Sequence, residues 1–296
     1  MALMDELEPA IRAHILGRMI DPSGELDQMT LGSLLIRWLN WRDRFVPTHP
    51  RLVHKSNDLL GSPEASTHAT ELASIENEIR AGNDLTPRLS TRVGTAYVPS
   101  SAQNALNRRA DLDLLLSDWG IHHLHLVPAP ARSGPLLFVV FRPGDAYLLL
   151  IRDHTAWNDV SLIETIVRNW PNEGLVMGPV TDVQLSNIFD DADRKALRQG
   201  GVTVPVEVDG QLYVPRGLTM CGTAGDATQR SNAIMCAIQR LKREMARNPQ
   251  TLDEQVAANG ERVSSPGDWH PHIDDDSFGF INTASGAIVD LVTFMA

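Results

Sequence analysis

The chain has 296 residues, 43% of them hydrophobic and 21% charged, with a net charge of −11. This composition excludes a disordered chain, and the length allows one or two domains with a large core plus an appendage. The longest apolar stretch, Leu136 to Ile151, is interrupted by Arg142-Pro143-Gly144-Asp145 and falls short of the roughly 20 residues of a membrane span. The opening segment to Pro9 is acidic, where a secretory signal is basic and then apolar, so a cytoplasmic location without a membrane partner is expected. Cys221 and Cys236 have no CxxC and no neighbouring histidine. That argues against a disulfide framework or a structural zinc, and buried small apolar roles are expected.

The first eighty residues read as helices. Leu31, Leu34, Leu35, Trp38, Leu39 and Trp41 recur at three-to-four-residue spacing and predict one apolar helix face, with the tryptophans as core anchors. A second helix is predicted from Pro63 to Ala81, ended by Gly82. The segment around His49-Pro50 and the stretch from Asn57 to Ser62 read as loop. A further helix is predicted from Ser101 to Asp118, capped by Gly120.

The pattern then changes to strands: Ile121 to Val127, Pro135 to Arg142 and Ala146 to Arg152. Pro143-Gly144-Asp145 predicts an antiparallel hairpin of the last two, which are apolar on both faces and so expected to be covered on both sides. Asn158 or Asp159 can cap a helix running to Trp170. Asp209-Gly210 predicts a second hairpin. A long helix is predicted from about Thr228 to Arg247, with Ala233, Cys236, Ala237, Arg240 and Leu241 facing inward. Phe278 to Asn282 and Ala287 to Phe294 read as a closing strand pair. The fold class expected is α+β: a helical N-terminal region (1–82), a central antiparallel sheet packed by helices (83–175) and a C-terminal α+β section (176–296).

Chemistry is suggested chiefly by His122-His123-Leu124-His125. On a strand, residues two apart share a face, so His123 and His125 point one way and His122 joins Leu124 and Leu126. His154 ends the third strand, and Asp153 beside it can orient an imidazole. Histidine titrates near neutrality and can serve as base or acid, and arginine can hold a phosphate through paired hydrogen bonds. From Pro87 to Thr155, seven arginines oppose five aspartates, a net of +2 in an otherwise acidic chain. The pattern therefore points to RNA cleavage with His123, His125 or His154 as acid and base, and with Arg132 or Arg142 on the phosphate. No cofactor is expected.

Other readings stand beside it. The same histidines can chelate a metal in a hydrolase, although no glutamate lies near them in sequence and no stoichiometric zinc is expected. They can also simply support the sheet of a non-enzymatic interaction protein, with a protein partner or a second copy of the chain. Asp268-Trp269-His270-Pro271-His272-Ile273-Asp274-Asp275-Asp276 reads as a solvated acidic loop before a strand, with metal binding as its alternative. Arg216 to Asp226 reads as an ordinary loop before a helix and lacks nucleotide-binding spacing.

His123 to Leu126, Ala131 to Val140 and Asp145 to His154, in the order helix, strand, apolar hairpin, helix, resemble the core of RelE/HigB-type ribonuclease toxins. The resemblance covers under a fifth of the chain. It implies an endoribonuclease, a hydrolase of toxin or phage-defence type that binds RNA. Arg132 would match the family's loop arginine and His154 its strand-end catalytic residue.

Overall fold

The structure, a computed structural model, describes residues 2–21, 23–94, 112–131, 134–183, 185, 187, 189–260, 263 and 265–294. The fold is α+β, and the chain forms two compact units, 1–39 with 228–296, and 40–227. The three sections expected from sequence run consecutively, whereas the first compact unit joins both ends of the chain.

In the terminal unit, helix α1 (Ala2–Arg18) and the first part of α2 (Leu31–Arg42) contribute a core of Leu7, Ile11, Ile15, Leu34, Leu35 and Trp38. The Trp38 ring stacks on Phe278 at 5.2 Å, so this tryptophan is the core anchor its spacing suggested. Phe278 belongs to a three-stranded antiparallel sheet of β8 (Trp269–Ile273), β9 (Ser277–Asn282) and β10 (Ile288–Thr293). The β9–β10 pair matches expectation. β8 corrects it, because His270 and His272 lie on a strand paired with Ile281 and Gly279 rather than in a loop.

The long helix spans Gly225–Arg247, and its buried face is Ala227, Ser231, Ile234, Ile238 and Leu241. Ala233, Cys236 and Arg240 are exposed instead. Ser231 can be buried because its hydroxyl donates to the Gly32 carbonyl at 2.9 Å. Both cysteines are free and exposed, contrary to the buried role expected of them.

The central unit is built on a four-stranded sheet in the order β1 (Leu52–Lys55), β4 (Asp145–Arg152), β3 (Leu136–Phe141), β2 (His122–His125). β2, β3 and β4 are antiparallel as expected, while β1 adds a parallel edge beside β4. Between the Phe138–Leu150 and Val139–Leu148 pairs the register shifts by one residue. This bulge brings Leu149 and Leu150 into the same core layer.

Helices cover both faces of the sheet. On one lie Leu72, Ile75 and Ile79 of α5 (Ala69–Ala81), against Leu124, Leu137, Val139 and Leu148. The helix expected from Pro63 breaks at His68, so that α4 (Pro63–Thr67) and α5 are separate; α3 (Asn57–Leu60), capped by the Ser56 hydroxyl, occupies the stretch read as loop. On the other face Leu162, Ile163 and Ile166 of Ser161–Asn169 pack on Leu136, Phe138 and Leu149, together with Val206 and Val208. Burying each such side chain contributes about 1.5–3 kcal/mol, which holds the sheet rigidly under the site. Val206 and Val208 belong to the second hairpin, β6 (Val206–Val208) and β7 (Gln211–Val214), joined at its other edge by β5 (Met177–Val180).

The predicted helix before the histidines is described only as α6 (Leu114–Trp119); its earlier part lies outside the described residues. Gly120, at φ +70°, ends α6 in the left-handed region and turns the chain into β2. Among the described residues no helix is long and apolar enough to cross a membrane.

Candidate functional site

β2 is an edge strand of the sheet, and a cavity of about 870 Å³ lies against it. Its wall includes His122 and His123 from β2, Asp113 to Leu115 at the start of α6, and His154 to Asn158 after β4. The segment from Leu89 to Val93, Arg44, and residues 191–199 complete it. Residues 191–199 form the helix Asp191–Gln199, capped by the Asp190 carboxylate.

The histidines divide as strand geometry requires. His122, on the Leu124 face, is half-buried at the cavity wall, and loss of solvent around its ring pushes its pKa down to about 4. Its Nε2 lies 3.0 Å from the Asp43 carbonyl. A carbonyl only accepts, so Nε2 carries a proton; that bond favours the imidazolium, and burial, the larger effect, is what keeps the ring neutral. This is a structural histidine that also lines the wall.

His123 sits on the opposite face. Its ring stands edge-on to Trp157 at 4.6 Å, and Nδ1 lies 3.6 Å from the Asp113 carboxylate. Nδ1 is the buried nitrogen, so the ring meets the cavity by its other edge. Burial lowers the His123 pKa; Asp113 opposes this and nearby His154 adds to it. His123 is thus neutral at neutral pH and poised to take a proton, with a carboxylate placed to stabilise the imidazolium that forms.

His154 is exposed on the cavity wall, with its ring 6.1 Å from Trp157 and 5.6 Å from the His125 ring. Of the three histidines expected in one cleft, His123 and His154 share the cavity wall and both meet Trp157, while the His125 ring lies beside that of His154. His125 itself is buried behind His154 and is not part of the cavity wall.

Trp157 is fixed by Arg198. The buried Arg198 guanidinium donates to Asp118 Oδ2 at 2.8 Å, to Asn158 Oδ1 at 2.8 Å and to the Trp157 carbonyl, and lies over the Trp119 ring at 4.3 Å. Asp118 in turn accepts from Thr203 Oγ1 at 2.7 Å. One network ties α6, the loop after β4 and the helix Asp191–Gln199 together around the cavity.

Several expected roles change. Arg142 lies at the hairpin end remote from His154, because β3 and β4 run antiparallel; its guanidinium donates to the Gly174 carbonyl at 3.0 Å and it does not line the cavity. Arg132 lies outside the described residues. Asp153 accepts from the Thr155 backbone at 2.8 Å and from its hydroxyl at 2.5 Å, closing a local turn rather than orienting an imidazole. Asp113 is the carboxylate nearest the His123 ring, 3.6 Å from Nδ1 and so acting through its charge rather than a hydrogen bond, and sequence reading missed it. Its Oδ1 caps α6 by accepting from Leu116 N at 3.0 Å, leaving Oδ2 toward His123. An aspartate before an apolar run was the available signal.

Among the described residues no group of three or more histidine, cysteine or acidic side chains stands close enough to hold a metal ion. His270 and His272 instead lie near Asp268 and Asp274, at 3.5 and 3.3 Å. Among the described residues the cavity wall carries four cationic side chains, Arg44, Arg92, Lys195 and Arg198, against two carboxylates, Asp113 and Asp191. In a chain of net −11, that local excess suits an anionic ligand. No protein-family model, curated protein or solved structure matches this chain.

Proposed function

We propose that the cavity is the active site of a metal-independent endoribonuclease. The observation that carries this reading is the pair His123 and His154 on one cavity wall, the first neutral and backed by Asp113, the second exposed. His123 takes the proton of a ribose 2′-hydroxyl, and the oxygen attacks the adjacent phosphorus. The bond from phosphorus to the 5′ oxygen breaks as His154 supplies a proton to that leaving oxygen. The products are a 2′,3′-cyclic phosphate and a 5′-hydroxyl. The cationic wall offsets the extra negative charge of the five-coordinate phosphorus.

The toxin or phage-defence role rests on the RelE/HigB resemblance. It is supported by the succession of α6, β2, the β3–β4 hairpin and the helix Ser161–Asn169, with His154 just past the end of β4. The test is incubation of mixed RNA and DNA with the protein in EDTA. RNA is cut and DNA, lacking the 2′-hydroxyl, survives. His123→Ala and His154→Ala each slow cleavage by about 10²–10⁴-fold while the fold is kept. Absence of cleavage leaves a non-enzymatic binding protein as the reading, and cleavage that needs added metal restores the metal-dependent hydrolase.

A further inference from the structure

With Arg142 turned to Gly174, the phosphate-holding part of the site needs other cations. Of the four on the wall, Arg198 is consumed by Asp118, Asn158 and the Trp157 carbonyl, and Arg44 is buried with Nη1 against the Val93 carbonyl. Arg92 and Lys195 differ. Both are exposed and line the cavity, and neither side chain has an ion pair or hydrogen bond with any described residue. Elsewhere cations such as Arg88, Arg168 and Arg240 are paired with carboxylates. Two unpaired cations in a strongly acidic chain thus face the space that His123 and His154 face.

They come from separate elements, Arg92 from the loop after Thr86–Arg88 and Lys195 from the helix Asp191–Gln199. Two cations on separate elements match successive charges along a strand better than one terminal phosphate. A cavity of about 870 Å³ has the capacity of a small-molecule site; it admits a nucleotide or two of a single strand and excludes a double helix. Half-buried Trp157 lies in the same wall and offers an aromatic surface for an unstacked base.

We propose that Arg92 and Lys195 grip backbone phosphates of single-stranded RNA, so that the site selects an unpaired strand over a duplex or a mononucleotide. This rests on the reading of the cavity as a nuclease site, but its test does not require cleavage. A short labelled single strand of 2′-O-methyl RNA, which has no free 2′-hydroxyl to react, is titrated with the full chain in EDTA over a range of salt.

Binding is expected to weaken with salt. Arg92→Ala and Lys195→Ala should each reduce the slope of log affinity against log salt by about 0.7, and the double variant by about twice that. Arg92→Lys and Lys195→Arg should keep the slope. The same sequence as a duplex, and a mononucleotide, should bind at least tenfold more weakly. Unchanged slopes in both alanine variants overturn the phosphate grip, even if RNA is cleaved. Equal binding of the duplex overturns the single-strand selection, and equal competition by polyglutamate overturns the assignment to nucleic acid. Slopes that fall as stated, beside ordinary RNA that is never cut, uphold the grip and reject the nuclease.

Discussion

Replacing Arg198 by methionine tests whether the buried network shapes the cavity. Side chains of Arg198 and Asp118 are only 6% and 3% exposed, and their nitrogen and oxygen are 2.8 Å apart. The methionine leaves the Asp118 carboxylate buried with Thr203 as its remaining side-chain donor, and frees the Trp157 carbonyl and Asn158 amide oxygen from their common donor. Breaking one side of such a pair costs about 3–5 kcal/mol, a large share of the 5–15 kcal/mol typical of a folded domain. In a unit of this size each kcal/mol corresponds to about 2–4 °C of melting temperature, so a fall of about 6–20 °C is expected in a thermal melt. Because much of the loss is an uncompensated charge, Asp118→Asn with Arg198→Met should recover part of it, giving strong coupling in a double-mutant cycle. A single variant that melts within about 3 °C of wild type, or two losses that simply add, would refute the reasoning.

Three further outcomes are expected. Asp113 raises the His123 pKa against the lowering effect of burial, so Asp113→Asn should move the acid limb of the pH–rate profile to lower pH while reducing the rate; a limb that stays or rises contradicts the pairing. His122, pushed down to about 4 from 6.5, is neutral when folded yet protonates when unfolded. Its contribution is present above about pH 6.5 and lost as pH falls toward 4, amounting to about 2 kcal/mol between pH 7 and pH 5. Urea midpoints at those two pH values measure it, and His122→Gln should flatten the difference; an equal slope in the variant rejects the assignment. Gly82 ends α5 at φ +72°, where an added Cβ would come within 2.5 Å of the His49 carbonyl carbon; Gly82→Ala should cost more than about 1 kcal/mol in a urea titration, and an unchanged midpoint would contradict that backbone.

Local patterns in the sequence reached as far as local physics does. The β3–β4 and β6–β7 hairpins were legible because their turns, Pro143-Gly144-Asp145 and Asp209-Gly210, stand between apolar runs. Strand alternation and hairpin length brought His123 and His154 to one cavity, but not His125, which lies outside its wall. β1 escaped notice because its four residues are stabilised by pairing with β4, some ninety positions away, with no local signature. β8 was obscured by alternating histidine and proline, and pairs only because Phe278 to Asn282 present it an edge. The inward face of the long helix was misplaced because Ser231 counts as polar until its bond to Gly32 is seen. Arg92, Asp113 and Lys195 meet the histidines only in three dimensions, so spacing along the chain could not nominate them.

The most direct measurement of the central claim is the chemistry of the cut ends. RNA cleaved by the protein in EDTA should carry a 2′,3′-cyclic phosphate, or the 3′-phosphate from its hydrolysis, opposite a 5′-hydroxyl, and a single 2′-deoxy substitution at the cut position should abolish that cut. His123→Ala and His154→Ala should both remove these products. Products bearing a 3′-hydroxyl and a 5′-phosphate, or cutting that persists at the 2′-deoxy position, would contradict attack by the 2′-oxygen and with it the roles assigned to His123 and His154.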